Sequence, residues 1–293
     1  MVKVLVHVHV YYIKAWLRIE KILQNIVAEK SVEVKILTTV SSDVSDSDIY
    51  TIEKSRVKGM SLIRLPNNGY DIQPFFFLLQ SVDLEDYNYI IKLHTKRVQP
   101  GIDVFFNGRF ISRVLWSKFL INAIAGSSGL FKKNLERMQL DQSIGMIGSC
   151  YLLSAVSSSD EEEKKMICNY VHKLNAENVT GSKYIAGTMF MVRSDILKPL
   201  IDSALVYEEF ERSESGKLGG TKAHAIERIL GVLVALHNKR ICGYDKSWWN
   251  DFVTGPFAHV LRRFTFDKRI TSNGRLLIRI FRIPVYNAKY PKK

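Results

Sequence analysis

The sequence predicts an α/β domain carrying a basic appendage, and three observations lead there. Residues 2–10 (VKVLVHVHV) alternate and are rich in Val, as a central strand requires. The segment from about Lys14 to Ala28 then sets Trp16, Ile19, Leu23, Ile26 and Val27 at helical spacing, and Glu33–Thr39 reads as a second strand. Such a strand–helix–strand opening begins a parallel α/β sheet. Finally, from Gly255 to Lys293 ten Lys and Arg face one acid, Asp267, which concentrates most of the formal net charge of +13 at one end.

The remaining elements follow in order. Ser41–Asp48 holds three Asp and four Ser and reads as a loop leading into a helix. Leu62–Leu65 is a third strand, closed by the turn Pro66-Asn67-Asn68-Gly69, and Ile72–Ser81 is helical. Tyr89–Leu93 is a fourth strand ending at His94-Thr95-Lys96. Helices are predicted over Arg109–Ala125 and Leu130–Leu140, with a short strand at Ile144–Ile147. The Ser-rich, then acidic run Ser157–Lys165 reads as a solvated loop and helix start. Lys183–Val192 is predicted as one strand with a glycine inside it, followed by a helix to about Ala204 capped by Ser194-Asp195. Glu208–Gly220 is polar and glycine-rich and reads as a mobile loop, after which Thr221 caps a helix over Ala223–Ala235. A helical, basic C-terminal part completes the chain. The domains drawn from this are 1–254 and 255–293.

Composition narrows the class. A chain of 293 residues with 46% hydrophobic and 24% charged residues buries a substantial core. No run reaches the roughly 18 apolar residues of a membrane-spanning helix. The apolar N-terminus lacks a small-residue cleavage site and reads as a buried strand rather than a signal peptide, so a cytoplasmic location is expected. Cys150, Cys168 and Cys242 are scattered and form no CxxC, against a disulfide framework or structural zinc site. The basic end attracts nucleic acid, an anionic membrane surface or phosphorylated substrates, and composition does not choose among them. No RNA-binding signature, zinc spacing or repeat accompanies it, which argues against nucleic acid.

In an open α/β sheet, ligands sit beyond the C-terminal strand ends. That brings Val10-Tyr11-Tyr12, Asn67–Asp71 and His94–Arg97 to one crevice. His94, Thr95, Lys96 and Arg97 offer an imidazole, a hydroxyl and two cations, groups suited to a phosphate; the alternative is a solvated basic loop end. Asn68, Gly69 and Asp71 present amides and a carboxylate to a base or ribose, or are plain turn chemistry. Tyr11 and Tyr12 stack on a base or pack on neighbours. Gly187 and Thr188 lie where a strand glycine permits close approach, or where a bulge interrupts it. His224, Glu227 and Arg228 fall on neighbouring helix faces, where Glu227 either takes a proton from an acceptor hydroxyl or forms an ion pair.

Read together, five blocks resemble the rhamnan synthesis F family of bacterial polysaccharide glycosyltransferases. They are Val-His-Val-Tyr-Tyr (8–12), Pro-Asn-Asn-Gly-Tyr-Asp-Ile-Gln-Pro-Phe (66–75), Ile-Lys-Leu-His-Thr-Lys-Arg (91–97), Ile-Ala-Gly-Thr-Met-Phe-Met-Val-Arg-Ser-Asp (185–195) and His-Ala-Ile-Glu-Arg-Ile-Leu-Gly (224–231). The resemblance covers about residues 1–250. It implies a GT-A-like, Rossmann-type mixed sheet flanked by helices, binding a nucleotide-sugar donor, dTDP- or UDP-linked. Many such enzymes hold a divalent metal on a DxD motif after the fourth strand. His94-Thr95-Lys96 stands there without a carboxylate, so the resemblance implies metal-independent transfer with Lys96 and Arg97 offsetting the diphosphate charge.

By the same resemblance Glu227 is the base of an inverting displacement, with His94 and Lys96 the other catalytic residues. Asp71 holds the nucleoside, Gly187 and Thr188 shape the sugar pocket, and Arg193 and Asp195 pack and cap. The implied donor is a rhamnosyl or related hexosyl nucleotide, and the acceptor a lipid-linked surface glycan. That setting puts the enzyme peripherally on the inner membrane face, with Leu276–Tyr286 lying in the interface. Alternatives are galactofuranosyl transfer from UDP and a non-catalytic scaffold in glycan assembly.

Overall fold

The structure is a computed structural model and describes residues 1–55, 57, 59–97, 103–176, 181–213, 220–270, 275–281 and 283–289. It divides into two compact units, 1–96 with 119–245, and 97–118 with 246–293. The sequence boundary at 254/255 differs from this division. The helix Trp248–Thr254 and the segment around Arg109 join the C-terminal residues, and Arg109 pairs with Asp251 at 2.9 Å.

The first unit is built on a seven-stranded sheet: β1 (Val2–Val10), β2 (Val32–Ser41), β3 (Met60–Leu65), β4 (Tyr89–His94), β5 (Ile144–Ile147), β6 (Phe190–Arg193) and β7 (Arg240–Cys242). The order is β7-β5-β6-β4-β1-β2-β3. β6 runs antiparallel to both β4 and β5, while β1, β2, β3 and β4 pair in parallel, as do β5 and β7. With flanking helices this is the mixed α/β sheet that the sequence predicts.

β1 forms because its β-branched valines suit a pleated, buried surface. Val4, Val6, Val8 and Val10 are fully buried on one face. The other face carries Leu5, His7 and His9. Register sets His7 beside Lys92, and His9 beside both His94 and Thr39, so a polar row crosses the buried sheet. The helix Ile72–Ser81 covers that face, with the Phe75 ring 5.7 Å from His7 and 6.1 Å from Phe190. Burying a phenylalanine contributes about 1.5–3 kcal/mol, which helps offset the cost of the polar groups beneath it. The helix Trp16–Val27 buries Trp16, Ile19, Ile22, Leu23 and Ile26. Val27, expected on the same stripe, is exposed because the periodicity carries it past the buried face.

Two segments depart from expectation. The helix predicted from Arg109 begins at Arg113, because Arg109–Ser112 pairs with Asp103–Phe106 as a hairpin. Its turn is Asn107-Gly108, both at positive φ (48° and 76°), a turn chemistry that favours hairpins. The strand predicted over Lys183–Val192 is broken into Lys183–Ile185, which pairs with Leu153–Ala155, and β6. Gly187 (φ 98°) and Thr188 (φ 45°) turn the chain between them.

The second unit comprises that hairpin, the helices Trp248–Thr254 and Pro256–Thr265, and an antiparallel sheet of Phe266–Ile270, Arg275–Ile280 and Ile283–Lys289. The C-terminal part is therefore helical only to Thr265. Most side chains of Leu276–Tyr286 lie outside the described residues, as does the centre of the Glu208–Gly220 loop. Among the described residues no single helix is long and apolar enough to cross a membrane, and the three cysteines are free.

Candidate functional site

The C-terminal ends of β1 and β4 and the turn ahead of β6 form one hydrogen-bonded cluster. Its centre is Lys92, a residue to which sequence reasoning gave no role. Its ammonium is fully buried, bonds the Asp71 carboxylate, and donates to Thr188 O at 3.2 Å and Thr188 Oγ1 at 3.1 Å. Thr188 Oγ1 in turn donates to Asp71 Oδ2 at 2.5 Å. Burial lowers Lys92 from the ordinary lysine range, and Asp71 opposes that shift. Burial also pushes Asp71 upward, but His94, Lys92 and the two hydrogen bonds outweigh it and hold the carboxyl well below its usual range. Thr188 is a β-branched residue in left-handed backbone, a costly conformation that these bonds hold in place.

His94 donates from Nε2 to Gly187 O at 2.9 Å, which fixes its neutral tautomer, and burial lowers its pKa to about 4. His9 is lowered to about 3 and His7 well below its ordinary value, again chiefly by burial. Thr39 Oγ1 accepts from His7 Nε2 (3.0 Å) and His9 Nδ1 (3.1 Å), then donates to Val8 O at 3.4 Å. Thr95 Oγ1 accepts the backbone N–H groups of Tyr11 and Tyr12, each at 2.9 Å, and so pins the exit of β1 to the tip of β4. Tyr11 and Tyr12 pack edge to face, 4.7 Å apart. Val10 is fully buried in the core, so its side chain does not reach a ligand. Lys96 is half-buried; Arg97 is exposed and belongs to the second unit.

The far side of the Gly187–Thr188 turn is held by the helix Lys222–Leu236. Glu227 Oε1 accepts Gly187 N–H at 2.5 Å, and Oε2 accepts Arg228 Nη1 at 2.8 Å. Arg228 also pairs with Glu163 at 3.0 Å and donates to Ser159 Oγ at 3.3 Å and His224 O at 2.9 Å. Both carboxylate oxygens of Glu227 therefore have protein partners. His224 bonds Thr221 Oγ1 at 2.6 Å and lies 5.6 Å from the Tyr70 ring; burial lowers its pKa.

The Asn67–Asp71 turn is zipped to Glu211–Ser213: Gly69 N–H donates to Glu211 O (3.0 Å), and Tyr70 N–H to Ser213 Oγ (2.7 Å). Asn68 bridges to Arg212. Gly69 is required here, since its φ is +59° and a Cβ would stand 2.6 Å from Phe210 Cγ. A surface cleft of about 310 Å³ opens beside it, lined by Gly69, Tyr70, Phe210, Arg212, Thr221 and Lys222 among others.

Thus the structure links Asp71, His94, Gly187, Thr188, Glu227 and Arg228 through direct bonds, ties Tyr11, Tyr12 and Thr95 through backbone N–H groups, sets Gly69 on the cleft, and holds His224 against two cleft residues, Thr221 and Tyr70. Sequence reasoning missed Lys92, His7, His9 and Glu163. The signal for Lys92 was a lysine inside an otherwise apolar strand.

An α/β sheet with its polar side chains gathered at the C-terminal strand ends belongs to the class of proteins that take a polar ligand at that edge. The chain belongs to the rhamnan synthesis protein F family, whose model matches residues 1–239. A relative from Xanthomonas campestris pv. campestris, the uncharacterized protein WxcX, is 29% identical over 188 residues, 62% of this chain and 25% of the relative. The chain thus spans about a quarter of the curated relative it matches. Among solved structures, S. aureus TarS 1-349 is 13% identical with a TM-score of 0.42, over 84% of this chain and 59% of that one. Glucosyl-3-phosphoglycerate synthase from Mycobacterium tuberculosis is 9% identical with a TM-score of 0.37, over 98% and 89%.

Proposed function

We propose that the protein is a glycosyltransferase that moves a rhamnosyl or related hexosyl group from a dTDP- or UDP-linked donor to a lipid-linked surface glycan. The observation that carries the reading is the Lys92–Asp71–Thr188 network, which holds a strained turn at the mouth of a strand-end crevice in a polysaccharide-synthesis family.

In this reading Tyr11, Tyr12 and the Asn68–Asp71 turn receive the nucleoside. Thr188, fixed by Asp71 and Lys92, shapes the sugar pocket. Transfer inverts the anomeric carbon and proceeds without a divalent metal: Lys96, at the tip of β4, offsets the charge of the departing diphosphate. Asp71 is already compensated by Lys92 and Thr188, which supports leaving a cation out of the scheme. Glu227, expected from the sequence to be the base, acts here by clamping Gly187 N–H; as the acceptor oxygen bonds the anomeric carbon and the nucleoside diphosphate leaves, the proton of the acceptor hydroxyl passes to solvent water. The lipid-linked acceptor sets the work at the cytoplasmic membrane face. A screen of donor hydrolysis across UDP- and dTDP-sugars, paired with calorimetric titration of the free nucleotides, tests the reading. Saturable binding and release of one sugar support it; no binding of either nucleotide makes the chain a non-catalytic scaffold instead.

A further inference from the structure

The helix Pro256–Thr265 is built inside out. A helix on a globular protein turns its apolar stripe inward and its charges to water. Here Phe257, Val260, Leu261 and Phe264, at i, i+3, i+4 and i+7, form one face, and that face is exposed. The inward side is polar. Arg262 donates from Nη2 to Asp103 Oδ2 at 2.8 Å, from Nη2 to Phe110 O at 3.1 Å and from Nη1 to Val253 O at 2.5 Å. His259 bonds the same Asp103 at 2.6 Å and stacks on Phe110 at 4.0 Å. The outward face is therefore fixed by part-buried polar bonds and is not a frayed helix caught turning.

The preceding helix extends the apolar surface. Rings run in sequence from Trp248 to Trp249 (5.6 Å), to Phe252 (5.8 Å) and to Phe257 (6.1 Å). These exposed side chains, with the stripe of the next helix, are 43–77% accessible. A continuous apolar patch of this kind marks an interaction surface.

We propose that this aromatic face docks on an anionic lipid bilayer, with the tryptophan pair and the stripe of Pro256–Thr265 entering the headgroup boundary. Charge selects the occupant. In sequence the 255–293 segment carries ten cations against one acid, and exposed Lys246 and Arg263 stand next to the patch residues along the chain, two before Trp248 and one before Phe264. A second copy would set two such segments against each other, whereas anionic headgroups complement them. Tryptophan and amphipathic helices with cationic flanks suit the interface. This inserting element lies in residues other than the Leu276–Tyr286 stretch to which the sequence pointed. The proposal rests on the transferase reading only for its purpose, and its test reads binding, not turnover.

The full chain is mixed at low salt with vesicles containing phosphatidylglycerol and with vesicles of phosphatidylcholine alone. Co-sedimentation is measured, together with quenching of tryptophan emission by lipids brominated on their acyl chains. Binding to the anionic vesicles, at least tenfold weaker in V260S/L261S, with quenching abolished in W248F/W249F, supports the proposal. Both substituted pairs are exposed, and thermal unfolding checks that they fold. Equal binding to the two vesicle types, binding to neither, or a dimer that V260S/L261S dissociates while vesicle binding stays unchanged would overturn it. Donor hydrolysis in solution is unaffected by V260S/L261S, so failure of docking and failure of transfer are read separately.

Discussion

Lys92, wholly buried in β4, bonds the Asp71 carboxylate across 21 residues of sequence, and both hold Thr188 in left-handed backbone. Breaking a buried pair from one side leaves a charge without compensation, which costs about 3–5 kcal/mol. Lys92→Met is expected to lower the urea midpoint accordingly. Lys92→Met with Asp71→Leu regains much of that stability yet fails to bind nucleotide in calorimetry, because Thr188 loses both partners. Full nucleotide affinity in the double variant would remove Lys92 and Asp71 from the site.

Glu227→Gln distinguishes clamp from base. The amide keeps an acceptor for Gly187 N–H, so turnover is expected to stay within about tenfold of the parent, whereas loss of a general base costs on the order of 10²–10⁴-fold. Glu227→Ala removes the clamp as well and lowers turnover further, with a raised donor KM. Steady-state transfer assays over a range of pH read both.

Acid is expected to destabilise the fold. The folded pKa values of His9 (about 3) and His94 (about 4) lie below the unfolded value of 6.5, so the unfolded chain binds more protons between those limits. Stability is thus intact above pH 6.5 and falls as pH drops toward 4, by about 2 kcal/mol for each histidine at pH 5. Asp71, held low, adds to the loss at still lower pH, as its carboxylate is protonated. Denaturant titrations at pH 7 and pH 5 measure the slope, and His94→Gln flattens it.

Thr95→Val keeps the shape of the side chain and removes the oxygen that accepts Tyr11 and Tyr12 N–H. Two part-buried donors are left without that partner, at about 1–3 kcal/mol each. The expected result is a lowered melting temperature together with weaker nucleotide binding, since the exit of β1 is released.

Lys96→Ala is expected to weaken UDP or dTDP affinity at least tenfold with little change in stability, and EDTA to leave activity unchanged. Complete loss in EDTA restored by Mn²⁺ would replace the cation scheme with a metal.

Much of the sheet was legible because β1, β2 and β4 are dense in β-branched and aliphatic residues, and those preferences agree with burial. Their ends, and with them the crevice at Thr95 and Asp71, followed from topology. Lys92 was not legible as a partner of Asp71. A lysine among the apolar residues of YIIKL marks an unusual position but does not name its partner, and only the register against His7 brings it under the helix Ile72–Ser81. The break at Gly187–Thr188 was hidden by strand-forming residues on both sides, whereas Asn107-Gly108 did carry a hairpin signal beneath an apparently helical pattern. The pairing of 97–118 with 246–293 joins distant segments and has no local signature at all.

β6 runs against its neighbours, so its first residue, Phe190, lies opposite Lys92 near the end of β4. The chain therefore reaches the crevice on its way into this strand, while β1, β3 and β4 reach it on their way out. A change of chain length is therefore expected to have unequal consequences on the two sides of β6. Residues gained or lost just before Ala186 move Gly187 and Thr188 and alter what the crevice accepts, whereas those added after Arg193 fall at the opposite edge of the sheet, where the crevice does not feel them.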